Sequence, residues 1–576
     1  LGATLSASKQ LGDFNLGGFA RMEYYNKTEQ SNSVSTNGGL IVPGQYFIGN
    51  SKNTANYGAS ISGTKRMVSA IFAINASWKD QLYLDVTGRN DVSSALVYSN
   101  GTGHYSYFYP SVSGSWLITE TLKGQLPKWI SFAKLRASWA QVGNDLDPYS
   151  LNQGFSVGNI TTANGKIYTN NFSSSSVYAQ DLKPERKNSW EVGLDFRVLK
   201  NRIGLDFTYY KENTKNQIMS IATPGVSGID SRVINAGNIQ NSGIEVALNT
   251  TPVQTGDWQW DLNFTYTRNR SKIVSLYPGV DYLSLQGQVN AFDYRIGSVA
   301  KVGGEYGLLM SDIAPARDEK GNILLDWDGQ DRIGFQKRSG KVEVVGSSQP
   351  DFLGSVSSTL RWKDLSLNIA LDCRFGGKVA SYANRYGTAN GNTKKSLQYR
   401  DEANGGLTWT SKWMNTDGTQ SESYGITYHD GVIPEGVFAQ GTTIACADGV
   451  ERDMSGVSYA EAVKNGWLEP VHAGAYWYYM NDWGVGVLNK SWFQTLNYIA
   501  LREISVAYKL PNAWANKICA QAINVSFSAR NLGYLYNSLE NNLNPESVRG
   551  NRAGEFRIRS FNPYTANFMF TINASF

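Results

Sequence analysis

The last twelve residues, Thr565 to Phe576, alternate without a break, with Phe568, Phe570, Ile572, Ala574 and Phe576 on one face and Met569, Thr571, Asn573 and Ser575 on the other. A period of two, a continuous apolar face and a carboxy-terminal aromatic are what a lipid-exposed barrel strand needs. The same pattern recurs upstream. Val68, Ala70, Phe72, Ile74, Ala76 and Trp78 share a face, the chain turns at Lys79 to Gln81, and Leu82, Leu84 and Val86 return on the same face. Ser69, Asn75, Ser77, Tyr83, Asp85, Thr87 and Arg89 make the opposite face, so one side suits lipid and the other water. A second hairpin runs from Trp190 to Val198, turns at Leu199 to Arg202 and returns through Ile203, Leu205, Phe207 and Tyr209. A third joins Val356, Leu360 and Trp362 to Leu365, Leu367, Ile369 and Leu371 across Lys363 and Asp364. These turns are short, whereas the opposite ends of the strands open into long loops. That asymmetry places the short turns in the periplasm and the loops outside.

Read this way, the pattern predicts strands near 3–9, 14–28, 66–78, 82–97, 107–120, 132–144, 187–199, 203–217, 242–253, 257–273, 351–362, 365–378, 496–509, 520–534 and 565–576. The expected fold is all-β, a transmembrane antiparallel β-barrel with about fifteen strands in this chain. Long extracellular loops are expected near 29–65, 145–186, 218–241, 274–350, 379–495 and 535–564. Bacterial barrels close with an even strand number, and lipid tolerates no open sheet edge. An odd count therefore predicts either one further strand or a larger barrel of which this chain is the carboxy-terminal part. The first residue is Leu1, and no charged segment followed by an apolar one precedes the first strand, so a gene product that starts earlier is expected.

Composition agrees with one large sheet. Fifty-eight glycines, 33 tyrosines and 16 tryptophans accompany only 18% charged residues, and no apolar run approaches the roughly eighteen residues of a membrane helix. The net charge of +5 is mixed in sign along the chain, which argues against nucleic acid as a partner. Cys373, Cys446 and Cys519 are too few and too far apart for a disulfide framework or a metal site.

Several segments resemble the SusC-like (RagA/SusC-like) family of TonB-dependent outer-membrane transporters of Bacteroidota. They are YLDVTGRNDVSS (Tyr83 to Ser94), YFYPSVSGSW (Tyr107 to Trp116), FAKLRASWAQVGN (Phe132 to Asn144), LKPE (Leu182 to Glu185) and NAGNIQNSGIE (Asn235 to Glu245). QPDFLGSV (Gln349 to Val356), LREISVAYKLP (Leu501 to Pro511) and NVSFSARNL (Asn524 to Leu532) follow in the family's order. The resemblance implies a 22-stranded barrel with an internal plug, of which this chain would supply the last fifteen strands without the plug. It also implies import of oligosaccharides or oligopeptides, energy delivered by TonB through the plug, a SusD-like surface lipoprotein, and dimers of such heterodimers. In that family the last strand pairs with the first, which would make Phe568, Phe570, Ile572 and Phe576 part of the closing strand. The motifs also have local readings. Pro184 suits a turn that leads into a strand, and Gly237 and Gly243 suit positive φ or close backbone approach.

Three sets of residues invite a chemical role. Asp326, Asp328, Gly329 and Asp331 resemble a calcium loop but lack its terminal glutamate, and aspartates with glycine also form ordinary turns. Tyr476, Trp477, Tyr478 and Tyr479, with Trp483, Trp492 and Phe493, form the densest aromatic cluster. Trp477, Tyr479 and Trp483 are its candidate substrate contacts, and an aromatic girdle at the membrane surface is the rival reading. His104, His429 and His472 fall in no catalytic or metal-binding motif, so no catalytic residue, cofactor or metal ligand is assigned. Besides active import, a passive large porin and an adhesive surface barrel remain compatible with the pattern.

Overall fold

The computed structural model describes the chain except residues 153, 163–164, 173–175, 223–228, 230, 289–295, 313, 482–491, 549–553 and 560–562. Its main element is an antiparallel sheet of fifteen strands whose neighbours follow chain order. In that order they are β1 (Gly2–Leu11), β2 (Phe14–Leu40), β3 (Ser51–Trp78), β4 (Leu82–Ser93), β5 (Ser106–Leu117), β6 (Ile130–Asn144), β7 (Glu185–Val198) and β8 (Ile203–Lys215). The series continues with β9 (Asn238–Gln254), β10 (Trp258–Ser275), β11 (Phe352–Trp362), β12 (Leu365–Phe375), β13 (Tyr498–Lys509), β14 (Ala522–Asn537) and β15 (Asn567–Ser575). Each expected strand is present. β1 and β15 stand at the two ends of the order, each with one sheet neighbour among the described residues. No described helix is long and apolar enough to cross a membrane, which does not bear on crossing by strands.

Two expected strands run well beyond their predicted ends. β2 and β3 stay paired from Phe14↔Trp78 to Leu40↔Ser51, with register shifts at Glu29, Ser35 and Asn37. The extension is mostly Ser, Thr, Asn and Gly, and its period-two contrast is confined to Ala55, Tyr57, Ala59 and Ile61 on β3, with only Val34 and Leu40 on β2, too little for a period-two reading to mark a strand pair. β4 stops earlier than expected, at Ser93, whose hydroxyl accepts from the Ala95 N–H and starts a short 3-10 turn that buries Leu96.

The short turns have the backbone their lengths require. Lys79 and Asp80 both take positive φ, and the Gln81 N–H donates to the Trp78 carbonyl at 2.9 Å, which makes a type I′ turn. Leu199, Lys200 and Asn201 are likewise all left-handed.

The chain divides into two compact units, 1–246 with 271–280, and 247–270 with 281–576. In the first, Leu96, Leu151, Leu182, Val233 and Ile234 form a small core beside a three-stranded sheet made by Ser176–Tyr178, Ile218–Ala222 and Ser231–Asn235. In the second, the long segments between β10 and β11 and between β12 and β13 form their own small sheets and three short helices, α1 (Tyr382–Ala389), α2 (Tyr459–Lys464) and α3 (Ala473–Asn481).

Candidate functional site

Burial in the strands is inverted relative to a water-soluble sheet. On β3 and β4, Val68, Phe72, Ile74, Leu82, Leu84 and Val92 are exposed, whereas Ser69 and Asp91 on the other face are buried. Register carries the apolar face from strand to strand. Phe14 pairs with Trp78, Trp78 with Leu82, and Leu82 with Trp116. In the second unit, Trp258 pairs with Trp362, Trp362 with Leu365, and Leu365 with Tyr508. These rows lie at the short-turn ends, where Lys79 sits 5.1 Å over the Trp78 ring and Lys363 5.8 Å over the Trp362 ring. An aromatic ring beside a lysine at the end of an apolar band matches the headgroup level of a bilayer. An exposed apolar face repeated on strand after strand exceeds what soluble monomers carry, and it costs nothing in lipid.

The opposite face is polar and cross-linked. Arg136 of β6 binds Asp206 of β8 through two N–H groups at 2.6 and 3.1 Å and also reaches Thr208. Arg89 donates to Asp91 at 2.8 Å and to Ser69 at 3.0 Å, and Tyr109 donates to the same aspartate. In the second unit Arg502 bridges Asp372 at 2.6 Å and Glu546 at 2.7 Å. That guanidinium holds the Glu546 carboxyl below the usual carboxylate range and ties the segment after β14 to the strands. Arg530 pairs with Glu503 at 2.8 Å. Arg89, Asp91, Arg136, Arg502, Glu503 and Arg530, all in the motifs that carried the family resemblance, are members of these pairs. The sequence marked the motifs, but the pairings link residues up to 130 positions apart and could not be read from it.

LKPE and NAGNIQNSGIE meet. The Asn235 side-chain oxygen accepts from the Lys183 N–H at 2.7 Å, and its amide donates to the carbonyls of Lys183 and Asn216 at 2.8 Å. Gly237 takes φ +90, and a Cβ there would lie 3.1 Å from the Ser275 carbonyl oxygen, so both expected reasons for glycine hold at that position. Gly243 instead lies within β9 without positive φ.

The structure places Trp477 and Tyr479 on α3 and buries them, at 6% and 8% exposure. Trp477 donates from Nε1 to the Gln398 carbonyl at 3.1 Å and stacks on Tyr399. The Tyr479 hydroxyl lies 2.9 Å from Asp328 and 2.6 Å from Asp331. Both rings therefore pack the segments between β10 and β11 and between β12 and β13, and Tyr478 is the half-exposed ring of that helix. Trp483 lies outside the described residues.

The aspartate cluster is engaged by protein donors. Asp328 accepts from the backbone N–H groups of Gln330 and Asp331 at 2.8 and 3.1 Å, as in an Asx turn, and Asp326 pairs with Lys337 at 2.9 Å. The Asp331 N–H, with help from Tyr479, holds the Asp328 carboxyl below its ordinary value, while burial pushes the Tyr476 hydroxyl up to about 12. Around these groups Leu325, Ile333, Phe438, Met454 and Tyr459 form a continuous core, with Trp327 stacked on Trp413 at 6.4 Å. His429 and His472 each set Nδ1 beside a carboxylate, Glu402 at 3.2 Å and Asp430 at 3.1 Å. Cys373, Cys446 and Cys519 are free thiols.

A family model described as TonB dependent receptor-like, beta-barrel matches residues 2–308. Among curated proteins the chain is similar to TonB-dependent receptor P3 of Formosa agariphila, 27% identical over 339 residues that cover 55% of this chain and 32% of that protein. It is also similar to TonB-dependent receptor SusC of Bacteroides thetaiotaomicron, 25% identical over 322 residues that cover 53% of this chain and 31% of that protein. The match therefore spans about a third of each curated relative's length. Among solved structures, the RagAB peptide transporter has a similar fold, with a TM-score of 0.65 at 18% identity, covering 100% of this chain and 55% of that one.

Proposed function

The chain belongs to the TonB-dependent receptor-like β-barrel family, and on that premise we propose that it forms much of the wall of an outer-membrane importer for oligosaccharides or oligopeptides. The observation that carries this reading is the inverted sheet. Its apolar face suits lipid, and its other face is a ladder of arginine–carboxylate pairs suited to a wet lumen. β1 and β15 each lack a second neighbour among the described residues, and a lipid-exposed edge is costly. We take them to be joined by further strands, about seven in a 22-stranded barrel, with Phe568, Phe570, Ile572 and Phe576 on the closing strand. Transport would then be gated by a plug that TonB engages, and a SusD-like lipoprotein would cover the outer loops, as a dimer of heterodimers.

In this reading Trp477 and Tyr479 act on substrate through the loops they hold in place, and Trp483 stays a candidate direct contact. Purification of the full gene product from native outer membranes tests the assembly. A co-purifying surface lipoprotein and near-zero conductance in planar bilayers are expected. An open, large-conductance pore without a partner would overturn the reading in favour of a passive porin.

A further inference from the structure

On the lumen-facing side of β2 to β6, towards the ends away from the short turns, lies a cavity of about 550 Å³. Register builds it. Tyr25 pairs with Met67, Lys27 with Lys65, and Asp91 with both Ser69 and Tyr107, so alternate residues of neighbouring strands converge on one side. Three aromatic rings face it, those of Tyr25, Tyr107 and Tyr109, the last two with centroids 5.7 Å apart. Glycine makes the space. A Cβ on Gly143 would come 3.1 Å from the Tyr107 and Tyr109 rings, and one on Gly63 3.0 Å from Pro148.

The charges of the wall do not balance. Lys65 and Ser93 hold Asp145, Arg89 and Tyr109 hold Asp91, and Lys27 holds Glu29. Each of these carboxylates thus has a cation of its own. Asp147 is exposed and makes no side-chain ion pair or hydrogen bond among the described residues; its attraction to Lys27 is the weakest that lysine feels, and Lys27 is already paired with Glu29. The cavity therefore offers tyrosine faces, room for a small group and one surplus negative charge. A neutral sugar ring would use the faces and leave the charge unmet, whereas an ammonium group uses both.

We propose that this cavity receives a primary ammonium group of the imported ligand, with Tyr25 and Tyr109 as aromatic faces for the ammonium and the carbon that bears it, and Asp147 as its counter-charge. The inference rests on the import reading. A peptide amino terminus and an amino sugar present the same chemistry, and the test separates them. The full gene product in detergent is offered a randomised, lysine-free hexapeptide mixture with free or acetylated amino termini, and in parallel a glucosamine hexamer with free or acetylated amines. Retained material is quantified by mass spectrometry.

One of the two pairs should show at least about a tenfold preference for the free amine, the ratio expected of an ion pair with an aromatic face worth roughly 1.4 kcal/mol. The preference should fall below about twofold in Asp147→Asn and in Tyr25→Leu, each checked for unchanged heat-modifiable gel mobility. Equal retention of free and acetylated forms, or a preference that survives Asp147→Asn, overturns the proposal. If neither amine is retained while cells still import a neutral maltohexaose through TonB, this inference fails and the import reading stands. Loss of all TonB-dependent uptake would mean that the import reading itself has failed.

Discussion

Ile74 gives the sharpest test of which face meets lipid. It lies in β3 between Gly18 of β2 and Val86 of β4, and it is 55% exposed. It lies four positions before Trp78, beside which Lys79 marks the short-turn end. At about 3.3 Å per residue and a tilt near 40°, that is roughly 10 Å of depth, close to the middle of an apolar band about 25 Å tall. Ile74→Arg should therefore cost about 2–4 kcal/mol in a bilayer. Ser77→Arg, on the opposite face of the same strand, should change stability by no more than about 0.5 kcal/mol. Reversible urea unfolding of the full gene product from phospholipid vesicles, followed by tryptophan emission, measures both. Were this an aqueous face, replacing a half-exposed isoleucine by arginine would be neutral or favourable. Equal midpoints for the two variants would refute the assignment.

Three further outcomes follow from the geometry. Replacing Lys79 and Asp80 by Asn and Gly should raise stability by about 0.5–1 kcal/mol, because both positions hold positive φ; an unchanged or lower urea midpoint would contradict the turn assignment. Arg502→Met releases Glu546 from β13 and should speed protease cleavage between β14 and β15 about tenfold, the loss of roughly one charge-assisted hydrogen bond; cleavage at the unaltered rate would count against the tether. Tyr479→Phe removes the hydroxyl shared by Asp328 and Asp331, at a cost of about 1–3 kcal/mol to the segments between β10 and β11 and between β12 and β13. Because the folded Asp328 pKa is depressed, its contribution is complete above the unfolded value near 4 and is lost as pH falls through the folded value. Amide protection in those segments, taken as exchange relative to the intrinsic rate at each pH, should fall in the variant at neutral pH and in the parent only below about pH 4; a loss of protection between pH 5 and 7 in the parent would contradict this.

The strands were legible because their outward positions are apolar and their inward positions polar, as in the run from Val68 to Trp78 and back from Leu82. The extension of β2 and β3 was not, since its mostly Ser, Thr and Asn positions leave only a weak contrast at Ala55, Tyr57, Ala59 and Ile61. The core formed by the segments between β10 and β11 and between β12 and β13 depends on Leu325, Phe438 and Tyr459, which come together from more than a hundred residues of sequence. No local period records such a contact. The aromatic run of α3 was visible as a cluster, but its burial depends on Gln398, Tyr399 and the Asp328 turn, which only the fold brings near. The lumen cavity draws its wall from five strands, each of which contributes residues that read singly as ordinary polar positions.

Energised import through this barrel is open to direct measurement. Uptake of labelled hexapeptide and oligosaccharide mixtures should be compared in cells that carry the gene, cells that lack it, and cells that carry it without TonB. Uptake of at least one mixture that needs both the gene and TonB is expected. Uptake that needs the gene but persists at full rate without TonB would contradict it.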